Sequence, residues 1–380
     1  MSRELPEDRQ AEAPAGAEAP AGAEAPALAG ARARACLRAV TARRLYDRRL
    51  GLFGHRRLLG ARRFESLWPF ANAWAAACIL ATLPGSGEAG LLLPQLWAGV
   101  GAYRRPGATG GLGHPLPAPP GGFESQVVPP LGGGGDVFYD DNAWVGLAAV
   151  AHHERTGDPD ALALATGLLS MTTAGWSSDA GWTCPGGIRW KVSPFTASRN
   201  TCANAPVAEL ALRVHLRTGD PVALEWGSRL YRWVRQALLG PDHLYADRID
   251  PRGVLERTAW SYNQGAMVGA GVLLYEATGD PAYLDQAATT AGAALGRFQG
   301  ATLLAQGPAF NAVYFRNLWL LDRHRPDSRV RQSAADFAEE MWCHHRSSRT
   351  GLFTGSGSPL NRSAPMAALY ALLAGAAPCP

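Results

Sequence analysis

The sequence predicts an all-α protein in which pairs of helices repeat around a ring. The tetrapeptide Thr-Gly-Asp-Pro occurs at residues 156–159, 218–221 and 278–281, so successive copies are 62 and 60 residues apart. In each copy glycine ends one helix in the left-handed conformation, aspartate caps the next helix, and proline fits its first turn. Apolar residues at helical spacing flank every copy, and no alternating strand pattern separates them. Each copy is therefore interpreted as a tight turn between two helices.

The number of hairpins follows from the length of this unit. Two further turns, at residues 83–86 and 325–327, follow similar apolar helices. With a unit of roughly 50–60 residues, the region 36–380 holds about six hairpins, the number that closes an (α/α)6 barrel. We therefore predict a single (α/α)6 domain there. Residues 1–35, rich in Glu, Ala and Pro and repeating the hexapeptide AEAPAG, are predicted to be a disordered arm.

Composition limits the classes of partner. A hydrophobic content of 47%, with 12 Trp, 10 Tyr and 11 Phe, fills a core and leaves aromatic rings for a binding cleft. Basic residues concentrate in residues 32–63, which we interpret as a solvated helix face rather than a nucleic-acid or membrane patch. The chain begins without an apolar signal region, and the apolar run 71–81 is too short to cross a bilayer. We expect a cytoplasmic monomer with no nucleic-acid or membrane partner, and an extracellular location stays open.

The cysteines do not have the spacing of a metal site. The sequence has six, all widely separated and without histidines at ligand intervals. They are Cys36, Cys78, Cys184, Cys202, Cys343 and Cys379. We expect reduced thiols and no metal or cofactor, with a disulfide between Cys184 and Cys202 as the alternative.

Polar residues recur at matching distances from the turns. Asp141 precedes Thr156 by 15 residues, Asn263 precedes Thr278 by 15, and Asn204 precedes Thr218 by 14. Such residues begin equivalent helices, about 20 Å from the turns at 1.5 Å per residue, and share one rim of the ring. The long connections 107–136, 175–198 and 245–261 lead to the same rim, as loops that build a binding site do.

Asp140 and Asp141 are the candidate catalytic groups on this rim. Two adjacent carboxyl groups repel each other when both are charged, so one pKa should rise and provide an acid beside a base. Retaining glycoside cleavage needs two carboxyl groups about 5–5.5 Å apart, which neighbouring aspartates can reach. The alternative is a helix cap followed by an acid that compensates the helix dipole. Five aromatic residues could stack on sugar rings or pack the loops: Tyr139, Trp182, Trp190, Trp260 and Tyr262.

Three segments resemble glycoside hydrolase family 76, the endo-α-1,6-mannanases, and the resemblance runs from Leu67 to the C-terminus. They are Tyr-Asp-Asp-Asn-Ala-Trp at 139–144, Gly-Gly-Ile-Arg-Trp at 186–190 with Asn200 and Asn204 after it, and Ser-Tyr-Asn-Gln-Gly at 261–265. The resemblance implies retaining hydrolysis of α-1,6-mannosidic bonds in mannan or manno-oligosaccharides, with Asp140 as nucleophile, Asp141 as general acid/base, and no metal or cofactor.

The same resemblance implies a set of substrate-binding residues. They are Tyr139, Trp144, Trp190, Asn200, Asn204, Asp247, Tyr262, Asn263 and Gln264. The segment 187–200, with Lys191 and Pro194, departs from the family pattern, as does Val145-Gly146 in place of a bulkier aromatic residue.

Three alternative functions are kept open. An isoprenoid synthase would place further carboxylates beside the acid pair to bind magnesium, but Asn142 and Ala143 follow it. An epimerase or unsaturated uronyl hydrolase on the same ring would have a lumen rich in His or Arg, which the sequence does not make evident. A glycan-binding relative without activity would keep the cleft and lose the chemistry.

Overall fold

The computed structural model describes residues 21–42, 45–56, 62–104, 122–193, 195 and 197–376. Its helices are α1 Ala21–Val40, α2 Leu67–Leu80, α3 Gly87–Gly99, α4 Tyr139–Thr156, α5 Pro159–Thr173, α6 Thr201–Thr218, α7 Pro221–Leu238, α8 Ser261–Thr278, α9 Pro281–Arg297, α10 Gly300–Leu304, α11 Pro308–Asp322, α12 Ser328–His344 and α13 Pro359–Leu373. The strands are β1 Tyr46–Asp47, β2 Leu52–Arg56, β3 Arg62–Phe64, β4 Arg199–Asn200, β5 Arg248–Ile249 and β6 Leu255–Glu256, which form two small antiparallel sheets.

Six inner helices form a closed ring. Each of α2, α4, α6, α8, α11 and α13 packs on the next, and α13 packs back on α2. The outer helices α3, α5, α7, α9 and α12 each follow and contact an inner helix, and α1 packs on the outside of α13. The predicted (α/α)6 barrel is therefore confirmed, with α1 as the outer partner of the sixth inner helix.

The inner helices are buried more completely than the outer helices. The inner helix α6 is buried along nearly its whole length, whereas α7 buries one stripe that includes Ala223, Leu230 and Val234. Inner helices approach closely because they carry small residues. A Cβ atom at Gly146 of α4 would lie 2.6 Å from the Leu210 side chain of α6, so a larger residue there would push the two helices apart.

The three predicted turns have the expected geometry. Gly157, Gly219 and Gly279 each have φ of 74°, the left-handed conformation that glycine adopts without strain. The aspartate after each glycine caps the next helix; for example, the Asp158 carboxylate accepts a hydrogen bond of 2.9 Å from the Asp160 amide. The interpretation of Thr-Gly-Asp-Pro as a helix-helix turn is confirmed.

The prediction of a disordered arm is wrong for residues 21–35, which belong to α1. Ala33 and Cys36 are buried against the barrel, and the Arg32 guanidinium bonds the Glu339 carboxylate of α12. Alanine, leucine and arginine favour a helix in this stretch, and the Pro-containing repeat obscured that propensity. Residues 1–20 lie outside the described residues.

Two further observations concern the described part of the chain. Cys184 and Cys202 are both free thiols, so the alternative disulfide between them is absent. Cys379 lies outside the described residues. In the ranges given above, the structure contains no helix with the length and apolar character needed to span a bilayer.

Candidate active site

The fourth residue of α4 fastens a long loop to the helix. The Asn142 amide receives a 2.7 Å hydrogen bond from the Phe123 backbone N–H and donates one of 3.0 Å to the Phe123 carbonyl. It also donates to the Phe138 carbonyl at 2.7 Å, at the residue that precedes the helix. One buried side chain thus holds both the loop and the helix start.

The fourth residues of α6 and α8 make the same contacts. Asn204 bonds both backbone groups of Ile188, at 2.7 and 3.0 Å, and Gln264 bonds both backbone groups of Tyr245, at 2.8 and 3.0 Å. Each amide also donates to the carbonyl of the residue before its helix, Asn200 or Trp260. We call Asn142, Asn204 and Gln264 the amide clamps.

The amide clamps correct two predicted roles. Asn204 and Gln264 are fully buried and have their hydrogen-bonding groups occupied by backbone, so they hold loops instead of touching a sugar. The predicted equivalence between the three helix starts was also wrong by one residue. Each amide clamp lies 14 residues before the threonine of its turn, so Asn204 matches Asn142 and not Asp141.

The second residues of the same three helices meet at the rim. Asp140 of α4, Cys202 of α6 and Tyr262 of α8 occupy equivalent positions, and the Asp140 and Tyr262 side chains lie near enough to Cys202 to shift the pKa of its thiol. The ring thus brings together residues that lie about 60 positions apart in the chain. That the paired acids and the 261–265 segment form one substrate site stays a prediction.

Asp140 is partly exposed and surrounded by hydrogen-bond donors. Its Oδ1 accepts the Asp141 backbone amide at 3.0 Å and its Oδ2 accepts the Trp190 indole N–H at 3.2 Å. Burial raises the pKa of Asp140 to about 6, while the neighbouring Cys202 thiol and the hydrogen bonds from Asp141 and Trp190 act in the opposite direction. These donors favour the charged carboxylate, so Asp140 ionises before its neighbour.

Asp141 has a less favourable setting for a negative charge. Burial, and then the charge of Asp140, raise its pKa well above the ordinary value of 3.8. Within the described ranges, neither Asp140 nor Asp141 forms an ion pair with a basic side chain. Of the two carboxyl groups, Asp140 is therefore the one that ionises more readily and Asp141 the one that favours its proton.

Three other residues predicted to bind substrate lie around this pair. Trp190 contacts Asp140 directly, and the ring of Tyr262 lies 4.1 Å from that of Phe310. Asp247 is partly buried, which raises its pKa, and its charge acts on Cys202 and Tyr262. These side chains form one wall of the site.

Tyr139 and Trp144 are largely buried, and the predicted contact of each with substrate stays a prediction. Each is only 5% exposed. Tyr139 packs its ring over Gly175, and Trp144 faces the interior of the ring, where the Arg316 guanidinium lies 5.9 Å from its indole. Both belong to the segment 139–144, and the sequence alone did not show which side chains of that segment point into the protein.

Asn200 and Asn263 are also buried below the rim. Asn200 is 5% exposed and its Oδ1 has no hydrogen-bond partner, while Asn263 is 0% exposed and both of its amide atoms lack a partner. Both side chains are thus buried in this structure, and their predicted contact with a sugar stays a prediction.

Sequence reasoning missed an aromatic cluster centred on Phe310, the third residue of α11. Besides Tyr262, its ring lies 5.7 Å from Trp68 of α2 and 5.6 Å from Trp260, and all four rings are partly exposed. Aligning helix starts would have found Trp68 and Phe310. Trp182, in contrast, stacks on the Arg199 guanidinium at 4.7 Å and packs the loop.

The interior of the ring also holds charges that the sequence did not make evident. Arg213, Arg316 and Glu209 are buried, with an Arg316–Glu209 separation of 3.8 Å. Asn317 donates to the Glu209 carboxylate at 2.9 Å. This cluster is well separated in sequence from the helix starts that carry the acid pair.

An (α/α)6 barrel that carries two adjacent carboxyl groups with unequal pKa values near partly exposed aromatic rings has the equipment of an enzyme that cleaves glycosidic bonds. The comparison with protein families gives the same class. The model of glycosyl hydrolase family 76 matches residues 124–350, and the chain belongs to that family.

Individual relatives are more distant. A mannan endo-1,6-α-mannosidase of Saccharomyces cerevisiae is 26% identical over 155 residues, which cover 37% of this chain and 34% of the yeast protein, so the match spans about a third of that relative. A family 76 glycoside hydrolase (mannosidase) from Bacteroides thetaiotaomicron has a TM-score of 0.73 at 21% identity, covering 91% of this chain and 98% of that one.

A third relative was solved with a ligand. It is an inactive variant of an α-1,6-mannanase from a Salegentibacter species, with two consecutive aspartates replaced by asparagine, in complex with α-1,6-mannotriose. Its TM-score is 0.69 at 22% identity, covering 91% of this chain and 99% of that one.

Proposed function

We propose that the protein hydrolyses α-1,6-mannosidic linkages with retention of anomeric configuration, using Asp140 as nucleophile and Asp141 as general acid/base. The observation that carries this proposal is the inequality of the two acids. Asp140 accepts hydrogen bonds from the Trp190 indole and the Asp141 amide, while burial and the neighbouring charge raise the pKa of Asp141. One group is thus prepared to attack and the other to donate a proton.

The first step would transfer the sugar to the enzyme. A carboxylate oxygen of Asp140 forms a bond to the anomeric carbon as the glycosidic C–O bond breaks, and Asp141 gives its proton to the departing oxygen. In the second step Asp141 takes a proton from water, the water oxygen attacks the anomeric carbon, and the ester bond to Asp140 breaks. Two displacements at one carbon return the original configuration.

The choice of mannose and of the α-1,6 bond rests on the relatives. The yeast protein is named for mannan endo-1,6-α-mannosidase activity, and the inactive variant of the Salegentibacter enzyme, with two consecutive aspartates replaced, is in complex with α-1,6-mannotriose. Asp140 and Asp141 are also consecutive, and the rings of Tyr262 and Phe310 offer faces on which sugar rings stack. The cellular location of the protein and its monomeric state stay predictions.

The experiment is to follow the first product from α-1,6-mannan by proton NMR, before mutarotation. We expect the α anomer to appear first. Initial release of the β anomer would contradict the nucleophile role of Asp140, and absence of cleavage would contradict the function itself. Mannobioses with α-1,2 and α-1,3 bonds serve as linkage controls and are expected to remain intact.

A further inference from the structure

The loop of residues 190–198 begins and ends beside the acid pair. Its first residue, Trp190, donates its indole N–H to the Asp140 carboxylate at 3.2 Å. The Trp190 backbone N–H also donates to the Ser198 carbonyl at 3.1 Å, so the two ends of the loop meet. The residues between these ends therefore leave the rim and return to it next to the candidate nucleophile.

Backbone pairing fixes this loop to the segment that leads into α4. The Tyr139 backbone N–H donates to the Trp190 carbonyl at 3.1 Å, and the Val192 backbone N–H donates to the Val137 carbonyl at 2.9 Å. Helix α4 begins at Tyr139 and carries both acids in its first turn. The 190–198 loop is therefore held in a defined position relative to the acid pair.

Phe195, in the middle of this loop, is the most exposed of the large apolar side chains that the structure describes. It is 94% exposed, and Val192 of the same loop is 49% exposed. Single exposed apolar residues are common on protein surfaces, so exposure alone assigns no role. What distinguishes Phe195 is that its loop is anchored beside the acid pair, where a ligand bound in the site can cover the ring and remove it from water.

Chain geometry limits how far Phe195 lies from the acids. It precedes Ser198 by three residues, and three residues of extended chain span at most about 11 Å. The backbone of Phe195 therefore lies within that distance of the base of the loop, where Ser198 meets Trp190. Because the Phe195 ring is almost fully in solvent while Asp140 is partly buried, the ring lies further out than the acids, within reach of an oligosaccharide whose cleaved bond lies at Asp140.

The charge of the loop favours a neutral ligand. Lys191 is its one charged residue, and the Lys191 ammonium group pairs with the Asp136 carboxylate at 2.6 Å. The loop therefore presents the apolar surface of Val192 and Phe195, and its one positive charge is already paired. A neutral oligosaccharide, whose rings have apolar faces, fits this surface better than a nucleic acid or an anionic membrane, which would require several basic side chains.

We propose that the Phe195 ring binds a sugar unit of the substrate at a distance from the cleaved bond, by stacking on the apolar face of that unit. This inference rests on the proposed function. The aromatic cluster centred on Phe310 belongs to the starts of α2, α8 and α11, whereas the 190–198 loop pairs with the segment before α4. Phe195 is thus a second aromatic surface, on another part of the rim. It belongs to the segment 187–200, which departs from the family pattern.

The test measures binding of α-1,6-mannobiose and α-1,6-mannopentaose by isothermal titration calorimetry. The parent is the variant with Asp140→Asn and Asp141→Asn, which should leave both probes intact. Adding Phe195→Ala should weaken binding of the pentasaccharide about three- to tenfold, the loss of one aromatic stacking contact, and change binding of the disaccharide by less than about twofold. Phe195→Trp should keep the affinity for the pentasaccharide. In the active protein, Phe195→Ala should raise KM on α-1,6-mannan more than it lowers kcat.

Leu91→Ala is the matched control, because Leu91 is an exposed apolar residue of the outer helix α3, and it should change neither affinity. Equal affinity of the parent and Phe195→Ala for the pentasaccharide would overturn the inference and leave the proposed function standing. An equal loss for the disaccharide would also overturn it, since the ring would then lie at the cleaved bond. Failure of the parent to bind either probe would refute the proposed function, and the inference with it.

Discussion

The first turns of α4 and α6 share one backbone arrangement and differ in their chemistry. In both, an amide clamp at the fourth position, Asn142 or Asn204, holds a loop residue and the residue before the helix. At the second position α4 has Asp140 and α6 has Cys202, and at the third α4 has Asp141 where α6 has alanine. The fourth position thus attaches the loop in the same way in both helices, whereas the second and third positions carry the side chains that differ in chemistry.

The largest expected effect comes from replacing the acid at the second position of α4. Asp140→Asn removes the nucleophile and should lower kcat/KM on α-1,6-mannan by about 10⁴-fold or more. Release of reducing ends measures the loss, and circular dichroism should show unchanged helix content. Asp136→Asn is the control, because Asp136 is an exposed acid of the same segment that pairs with Lys191. Similar activity in the two variants would mean that Asp140 has no special role.

Asp141→Asn should have a smaller effect that depends on the leaving group. Loss of a general acid costs about 10²–10⁴-fold on mannan, whose leaving oxygen needs a proton. An aryl α-mannoside with an acidic phenol leaves without that proton, so its bond cleavage should be far less affected in the pre-steady state. Equal losses for both substrates would assign Asp141 another role.

The amide clamps should matter for stability in both helices. Asn142→Ala and Asn204→Ala each leave loop backbone groups buried without partners, and each should lower the free energy of unfolding by about 2–4 kcal/mol in denaturant titrations. Gln332→Ala, on the exposed face of α12, should change it by less than about 0.5 kcal/mol. A small effect for either clamp variant would show that its loop is held in another way.

The smallest expected effect is a gain in stability that depends on pH. The folded pKa of Asp140 is raised to about 6 from 3.8, so the folded protein binds more protons and loses stability as pH rises through that window. The variant with Asp140→Asn and Asp141→Asn lacks this loss. Its unfolding free energy should match the wild type near pH 4 and exceed it by on the order of 1 kcal/mol at pH 7. A larger advantage at pH 4 would contradict the sign.

The barrel could be predicted from the sequence because its information is local. Glycine, aspartate and proline at residues 157–159 specify a turn by themselves, and the repeat spacing gives the number of hairpins. The Asp140–Asp141 pair could be found for the same reason, since its first-turn position follows from the distance to that turn. The helix over 21–35 was missed because its burial depends on α13, at the far end of the chain.

The functions of the asparagines could not be read in the same way. Asn204 and Asn263 differ by one residue in register, and that residue decides between a clamp and a buried amide without a partner. Trp144 lies less than one helical turn beyond Asp141, yet it points into the ring interior. Side-chain direction on a helix changes by about 100° per residue. A motif alone therefore identifies the segment at the site but does not show which of its side chains face the site.

The amide clamps touch only the main chain of the loops they hold. Phe123, Ile188 and Tyr245 are gripped through their peptide groups, which every residue except proline presents alike. Mutations can therefore change the side chains of these loops without breaking the hydrogen bonds that attach the loops to the helices. During evolution such a rim can therefore change its specificity for glycans while the amide clamps and the acid pair stay the same.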